Sequence, residues 1–90
     1  MNTLNNIFID NLPTLDLHGY DRNTARLLVN DFINDNYKLK KKKVVIIHGR
    51  GLFILKQEVE SVLKQNNQVK LYQPHMFNIG CTIVELNITD

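Results

Sequence analysis

The spacing of apolar residues along the chain changes several times, and each change marks an element. Leu15-Asp16-Leu17-His18 alternates apolar with polar, as a half-buried strand does, and Gly19 ends it. Ala25, Leu28, Val29, Phe32 and Ile33 then recur at the spacing of one helix face. Asp21 or Asn23 is suited to cap that helix, and Asn34-Asp35-Asn36 weakens it at its far end. Val44 to Ile47 is a β-branched run without alternation, which predicts a strand covered on both faces. Leu55, Val59, Val62 and Leu63 mark a second helix, carrying Lys56 and Glu60 four apart and ending at Asn66-Asn67. Val69, Leu71 and Gln73 alternate with Lys70 and Tyr72 as a third strand. Pro74 to Gly80 is a connection, and Thr82, Val84 and Leu86 alternate with Ile83 and Glu85 as a fourth strand.

The predicted order is β-α-β-α-β-β, an α/β chain folded as an α+β two-layer sandwich with a mixed four-stranded sheet. Residues 1–13 read as an Asn-rich tail, with Ile7-Phe8-Ile9 docking on the body or forming a short edge strand; residues 14–90 read as the domain. A strand–helix–strand unit of this length normally makes parallel strands. If those strands are neighbours, two His-Gly turns, His18-Gly19 and His48-Gly49, lie on one edge of the sheet. Open α/β sheets usually place ligands at that edge, outside the carboxyl ends of their strands.

The residues expected there suit a phosphodiester. Two helix N-termini would present unpaired N–H groups to a phosphate. Gly49 and Gly51 flank Arg50, so the backbone can approach a bulky anion while the guanidinium offers a planar donor fork. Gly19 of the first turn and Lys56, early in the second helix, join the substrate-binding group. Asp16 and His18 stand two apart and so point to one face of a strand. With His48 they form the candidate catalytic set, since cleavage needs a base, an acid and cationic stabilisation. A His at a strand end is by itself more often a surface residue, and Asp16 is equally suited to bonding turn N–H groups. Two equivalent His-Gly turns tip the balance toward function. His75, beside Pro74, reads as an ordinary loop residue, and Tyr20, Tyr37 and Tyr72 form no stacking array in sequence.

Charge adds a second feature. Lys38 and Lys40, Lys41, Lys42 and Lys43 supply five of the eleven basic residues; the other six face nine acidic ones, so the body is mildly acidic. The cluster can hold a polyanion electrostatically, or simply be a solvated loop. It precedes the second strand whereas His48 follows it, a separation of roughly 15 Å at ~3.3 Å per residue. These lysines are therefore not catalytic groups; as an electrostatic site they suit a long nucleic acid that wraps the sheet, not a small phosphate ligand in the histidine pocket. No apolar run approaches the roughly 18–20 residues of a membrane span. Cys81 is the only cysteine, so no disulfide framework or cysteine metal cluster is expected, and the reducing cytoplasm is the default compartment. No spaced ligand set marks a metal site, and dependence on an ion such as Mg²⁺ is left open. The absence of a Walker-type loop argues against a nucleotide enzyme. A monomer or weak dimer is expected.

Three of these segments together resemble a known family. Leu15-Asp16-Leu17-His18-Gly19 is similar to the first signature of Smr (small MutS-related) domains, Ile47-His48-Gly49-Arg50-Gly51 to their second, and Gly80-Cys81-Thr82-Ile83-Val84-Glu85-Leu86 to their closing strand. The similarity runs over about residues 14–87. It implies a fold like the C-terminal domain of bacterial translation initiation factor three, nucleic-acid binding, and often DNA nicking or RNA cleavage. It also implies cleavage roles for Asp16 and His18, with His48 to Gly51 tied to substrate binding and activity. The alternative is a non-catalytic module that recruits nucleic acid or ribosomes. One departure favours that alternative: Phe77 and Asn78 stand where the family usually has two glycines, and only Gly80 remains.

Overall fold

The computed structural model describes residues 12–49 and 53–89. The expected tail and the Arg50-Gly51 segment lie outside the described residues, except that Leu12 and Pro13 are seen leading into the first strand. The elements are β1 (Thr14–Asp16), α1 (Arg22–Lys38), β2 (Lys43–Ile47), α2 (Phe53–Gln65), β3 (Val69–Pro74) and β4 (Cys81–Leu86).

The sheet order is β1-β2-β4-β3. β1 pairs parallel with β2, Asp16 opposite Ile47, while β4 runs antiparallel to both β2 and β3. Inserting β4 between β2 and β3 makes the sheet mixed. Leu17, Val44, Ile46, Val84 and Leu86 form one buried surface with Ala25, Val29 and Ile33 of α1 and Val59, Val62 and Leu63 of α2. Both helices therefore cover the same face, giving the two-layer α+β sandwich. Val44, Val45 and Ile46 are all buried, which explains the lack of alternation in β2.

Local chemistry sets the ends of α1. The Asp21 carboxylate accepts from the Thr24 N–H at 2.8 Å as N-cap. The helix runs through Asn34-Asp35-Asn36 rather than fading there, because Asn36 is buried and donates its amide to the Phe32 carbonyl at 2.8 Å. It closes with Lys41 N–H to Asn36 O and Lys40 N–H to Tyr37 O, both 3.0 Å, the two bonds of a Schellman motif. Lys40 holds the left-handed position at φ 59°, where glycine is usual.

β3 departs from its expected alternation. A bulge between Val69 and Leu71 shifts the register against β4. Val69 and Tyr72 pack on the core while Leu71 is turned out. One extra residue reverses the face that every later side chain occupies.

Candidate functional site

The parallel pairing of β1 with β2 brings their carboxyl ends side by side. Leu17 N–H continues the ladder to the Ile47 carbonyl at 2.8 Å, and Leu17 is fully buried beneath. The chain then reverses: Tyr20 N–H bonds the Leu17 carbonyl at 3.1 Å, with Gly19 at φ +84°. A left-handed third residue is the requirement of a type II turn, which accounts for glycine there. His18 is left exposed at the crest, and its ring has no hydrogen-bond partner among the described residues. Asp16, also exposed, accepts the His18 backbone N–H on Oδ1 at 2.9 Å. Its carboxylate thus braces the turn, and its second oxygen has no partner among the described residues.

His48 sits differently. It is only 4% exposed. Its Nδ1 lies 3.1 Å from the Gly49 carbonyl and its Nε2 lies 2.9 Å from Thr82 Oγ1. A carbonyl only accepts, so Nδ1 carries the proton and Nε2 accepts from the threonine hydroxyl: the ring is a neutral imidazole in a fixed tautomer. Burial pushes its pKa below the ordinary histidine value. The Gly49 carbonyl bond and the Glu60 carboxylate oppose that shift, and the Lys56 cation adds to it. The Lys56 ammonium also lies 6.0 Å from the centre of the Phe53 ring.

The β3–β4 connection reaches the same edge. His48 N–H and Gly49 N–H both donate to the Gly80 carbonyl, at 2.9 and 3.0 Å. Gly49, at φ +89°, then redirects the chain in a conformation that favours glycine. Asn78 closes the loop from within, its Oδ1 accepting from Gly80 N–H at 3.0 Å and its carbonyl from Cys81 N–H at 3.1 Å. His75 Nδ1 accepts from Phe77 N–H at 3.1 Å. The Phe77-Asn78 pair is thus built into a hydrogen-bonded loop.

Asp16, His18, Gly19, His48, Gly49 and Lys56 all fall on this edge, whereas Arg50 and Gly51 lie outside the described residues. Lys38, Lys40, Lys41, Lys42 and Lys43 cluster at the opposite edge, at the end of α1 and the start of β2. The N-terminus of α1 is already taken by the Asp21 carboxylate, whose pKa the Thr24 hydrogen bond lowers, so it is not a vacant phosphate seat. Thr82 is the residue that sequence reading missed. Its place in the closing Gly80-Cys81-Thr82 motif was the available signal, but a strand threonine does not reveal which turn its hydroxyl reaches. Among the described residues no group of three or more His, Cys, Asp or Glu side chains is placed to hold a metal ion.

A mixed four-stranded sheet with both helices on one face, and paired His-Gly turns at the strand ends, defines a class of small α+β domain. The Smr domain family model matches residues 15–87, and the chain belongs to that family. It is 36% identical over 76 residues to Endonuclease MutS2 of Clostridium kluyveri, and 40% identical over 76 residues to Endonuclease MutS2 of Lachnoclostridium phytofermentans. Each match takes in 81% of this chain but 10% of the relative, so the chain corresponds to about a tenth of those proteins. The crystal structure of the Smr domain of Thermus thermophilus MutS2 superposes with a TM-score of 0.82 at 23% identity, covering 84% of this chain and 99% of that one. YdaL, a stand-alone small MutS-related protein from Escherichia coli, gives a TM-score of 0.77 at 24% identity, covering 81% of this chain and 63% of its own.

Proposed function

We propose that this domain binds nucleic acid across the strand-end edge and hydrolyses a phosphodiester there. The observation that carries the reading is the Asp16–Ile47 register, which sets the exposed His18 turn beside the His48-Gly49 turn. In hydrolysis a water oxygen bonds to phosphorus, the bond to the leaving oxygen breaks, and a proton passes from the water to that oxygen. His18, exposed and with a free ring, is the group assigned to proton transfer. Asp16 holds its backbone in place and keeps one oxygen toward solvent. Arg50, between Gly49 and Gly51, and Lys56 and Gly19 are assigned to the phosphate. His48 is assigned as a positioning residue: both its nitrogens are engaged, so it fixes the turn at Gly49, the residue that precedes Arg50 in sequence.

The experiment is cleavage of labelled single-stranded, duplex and branched DNA and RNA, with Mg²⁺ or EDTA. His18→Ala is expected to abolish turnover while the circular dichroism spectrum stays that of the wild type. Cutting by His18→Ala at the wild-type rate overturns the assignment.

A second reading is a non-catalytic module that recruits structured RNA, branched DNA or ribosomes. It is favoured by the fact that Asp16 and His48 both spend hydrogen bonds on structure, leaving His18 as the one candidate imidazole free among the described residues. Binding without turnover under every ionic condition selects it. Either way the domain is assigned to the cytoplasm, as a monomer or weak dimer.

A further inference from the structure

Six of the nine large apolar side chains exposed among the described residues stand at the strand-end edge. Tyr20 follows the His18-Gly19 turn, Phe53 and Ile54 open α2, and Met76, Phe77 and Ile79 come from the β3–β4 loop. Met76 and Phe77 are 83% and 84% exposed. A surface placed for water alone gains nothing from gathering these groups at one end from three distant stretches of chain.

We propose that this rim is a base-stacking platform, with Phe77 its principal ring, and that the substrate class is nucleic acid with unpaired bases. The inference rests on the strand-end edge being the nucleic-acid site. Phe77 is not a loose side chain. Its N–H is held by His75 Nδ1, and the His75 ring meets it edge-on at 6.4 Å between centroids. Gly80 anchors the other end of the loop to the His48-Gly49 turn. The loop lies beyond the ends of β3 and β4, and His18 beyond β1 at the far side of the sheet, about three strand spacings or ~14 Å away. A strand whose phosphate sits at His18 spans that distance within a few nucleotides, so a neighbouring base comes over the loop.

Base pairing decides between substrates. In a duplex the base faces are covered by their neighbours, and only edges and phosphates meet the protein. An exposed phenyl ring then faces a charged backbone, whose phosphate oxygens lose water against it without gaining a hydrogen-bond donor. An unpaired base offers its face to the ring whatever its identity. The Lys56 ammonium near the Phe53 ring supplies the positive charge that a passing phosphate needs.

The chain contains no tryptophan, so Phe77→Trp creates a single reporter. Its fluorescence is followed while oligothymidylate, or the same strand annealed to oligoadenylate, is added. Strong quenching by the single strand and weak quenching by the duplex is expected. Phe77→Ala is expected to weaken single-strand binding about tenfold, the effect of removing one stacked ring, and duplex binding much less. Equal weakening for both ligands, or none for the single strand, overturns the platform. Quenching that follows protein concentration without nucleic acid also overturns it, because a second copy then covers the rim. These results are distinct from failure of the site itself, in which the wild-type protein binds neither ligand.

Discussion

At the residue scale the two histidines of equivalent motifs have opposite fates. The type II turn lifts His18 into solvent, whereas the His48-Gly49 turn folds back under Gly80 and seals its imidazole against Thr82. The consequence for stability has a definite sign. Burial holds His48 below 6.5, so once the pH drops under that value the unfolded chain takes up a proton that the folded chain refuses. Stability contributed by the neutral ring is complete above that pH and declines as pH falls toward the folded pKa. Urea denaturation across that range measures it, and a flat profile contradicts the buried neutral ring. Thr82→Val keeps the shape but leaves Nε2 without its donor. It is expected to cost about 1–3 kcal/mol in the same assay.

At the element scale, α1 and α2 are tied together by charge as well as by packing. Glu58, its side chain 11% exposed, receives Arg26 Nε at 2.8 Å and Arg22 Nε at 3.4 Å from the neighbouring helix. The Arg26 hydrogen bond is the main cause of a Glu58 pKa below its ordinary 4.5. Because that pKa is depressed in the fold, its contribution is full above 4.5 and is lost as pH falls through the folded value. Glu58→Gln should therefore be less stable than wild type at neutral pH and lose less between there and strong acid. The effect is modest, since both arginines face water. Parallel acid limbs for the two proteins count against the clamp. The end of α1 offers a gain instead. Lys40 carries a side chain in a left-handed conformation that costs about 1–2 kcal/mol relative to glycine. Lys40→Gly removes that strain but frees the unfolded chain by about 0.4–1 kcal/mol. A rise in stability of up to about 1.6 kcal/mol is expected by thermal unfolding; a fall means the Schellman closure is not holding the helix end.

For the molecule as a whole, the two ends of the sheet carry different surfaces. One end gathers the histidine turns and exposed aromatics; the other carries the lysine cluster. A nucleic acid long enough to reach both would gain affinity from the lysines without any interaction at the reacting phosphate. Replacing Lys38, Lys40, Lys41, Lys42 and Lys43 with Gln is expected to flatten the dependence of log K on log salt, by roughly 0.7–0.9 for each phosphate that is no longer neutralised. Cleavage at saturating substrate is expected to stay near the wild-type rate. An unchanged slope means that the cluster is only a solvated loop.

The sequence by itself determined the element order, both helical core faces, the doubly buried β2 and the outline of the family. Those follow from periodicity and short motifs, which are written in neighbouring residues. It left the outward turn of Leu71 unread, because a single bulge reverses an alternation without changing composition. It also left unread the pairing of Thr82 with His48 and the gathering of Tyr20, Phe53 and Phe77. Thr82 and the Phe77 loop reach the strand-end edge because β4 enters between β2 and β3, a choice made by the packing of the whole sheet, and they join Tyr20 and Phe53 there because β1 and β2 pair in parallel. Only the tertiary structure decided that one histidine stands in solvent while the other is sealed against Thr82. The motifs are alike locally, and what covers each comes from a distant part of the chain.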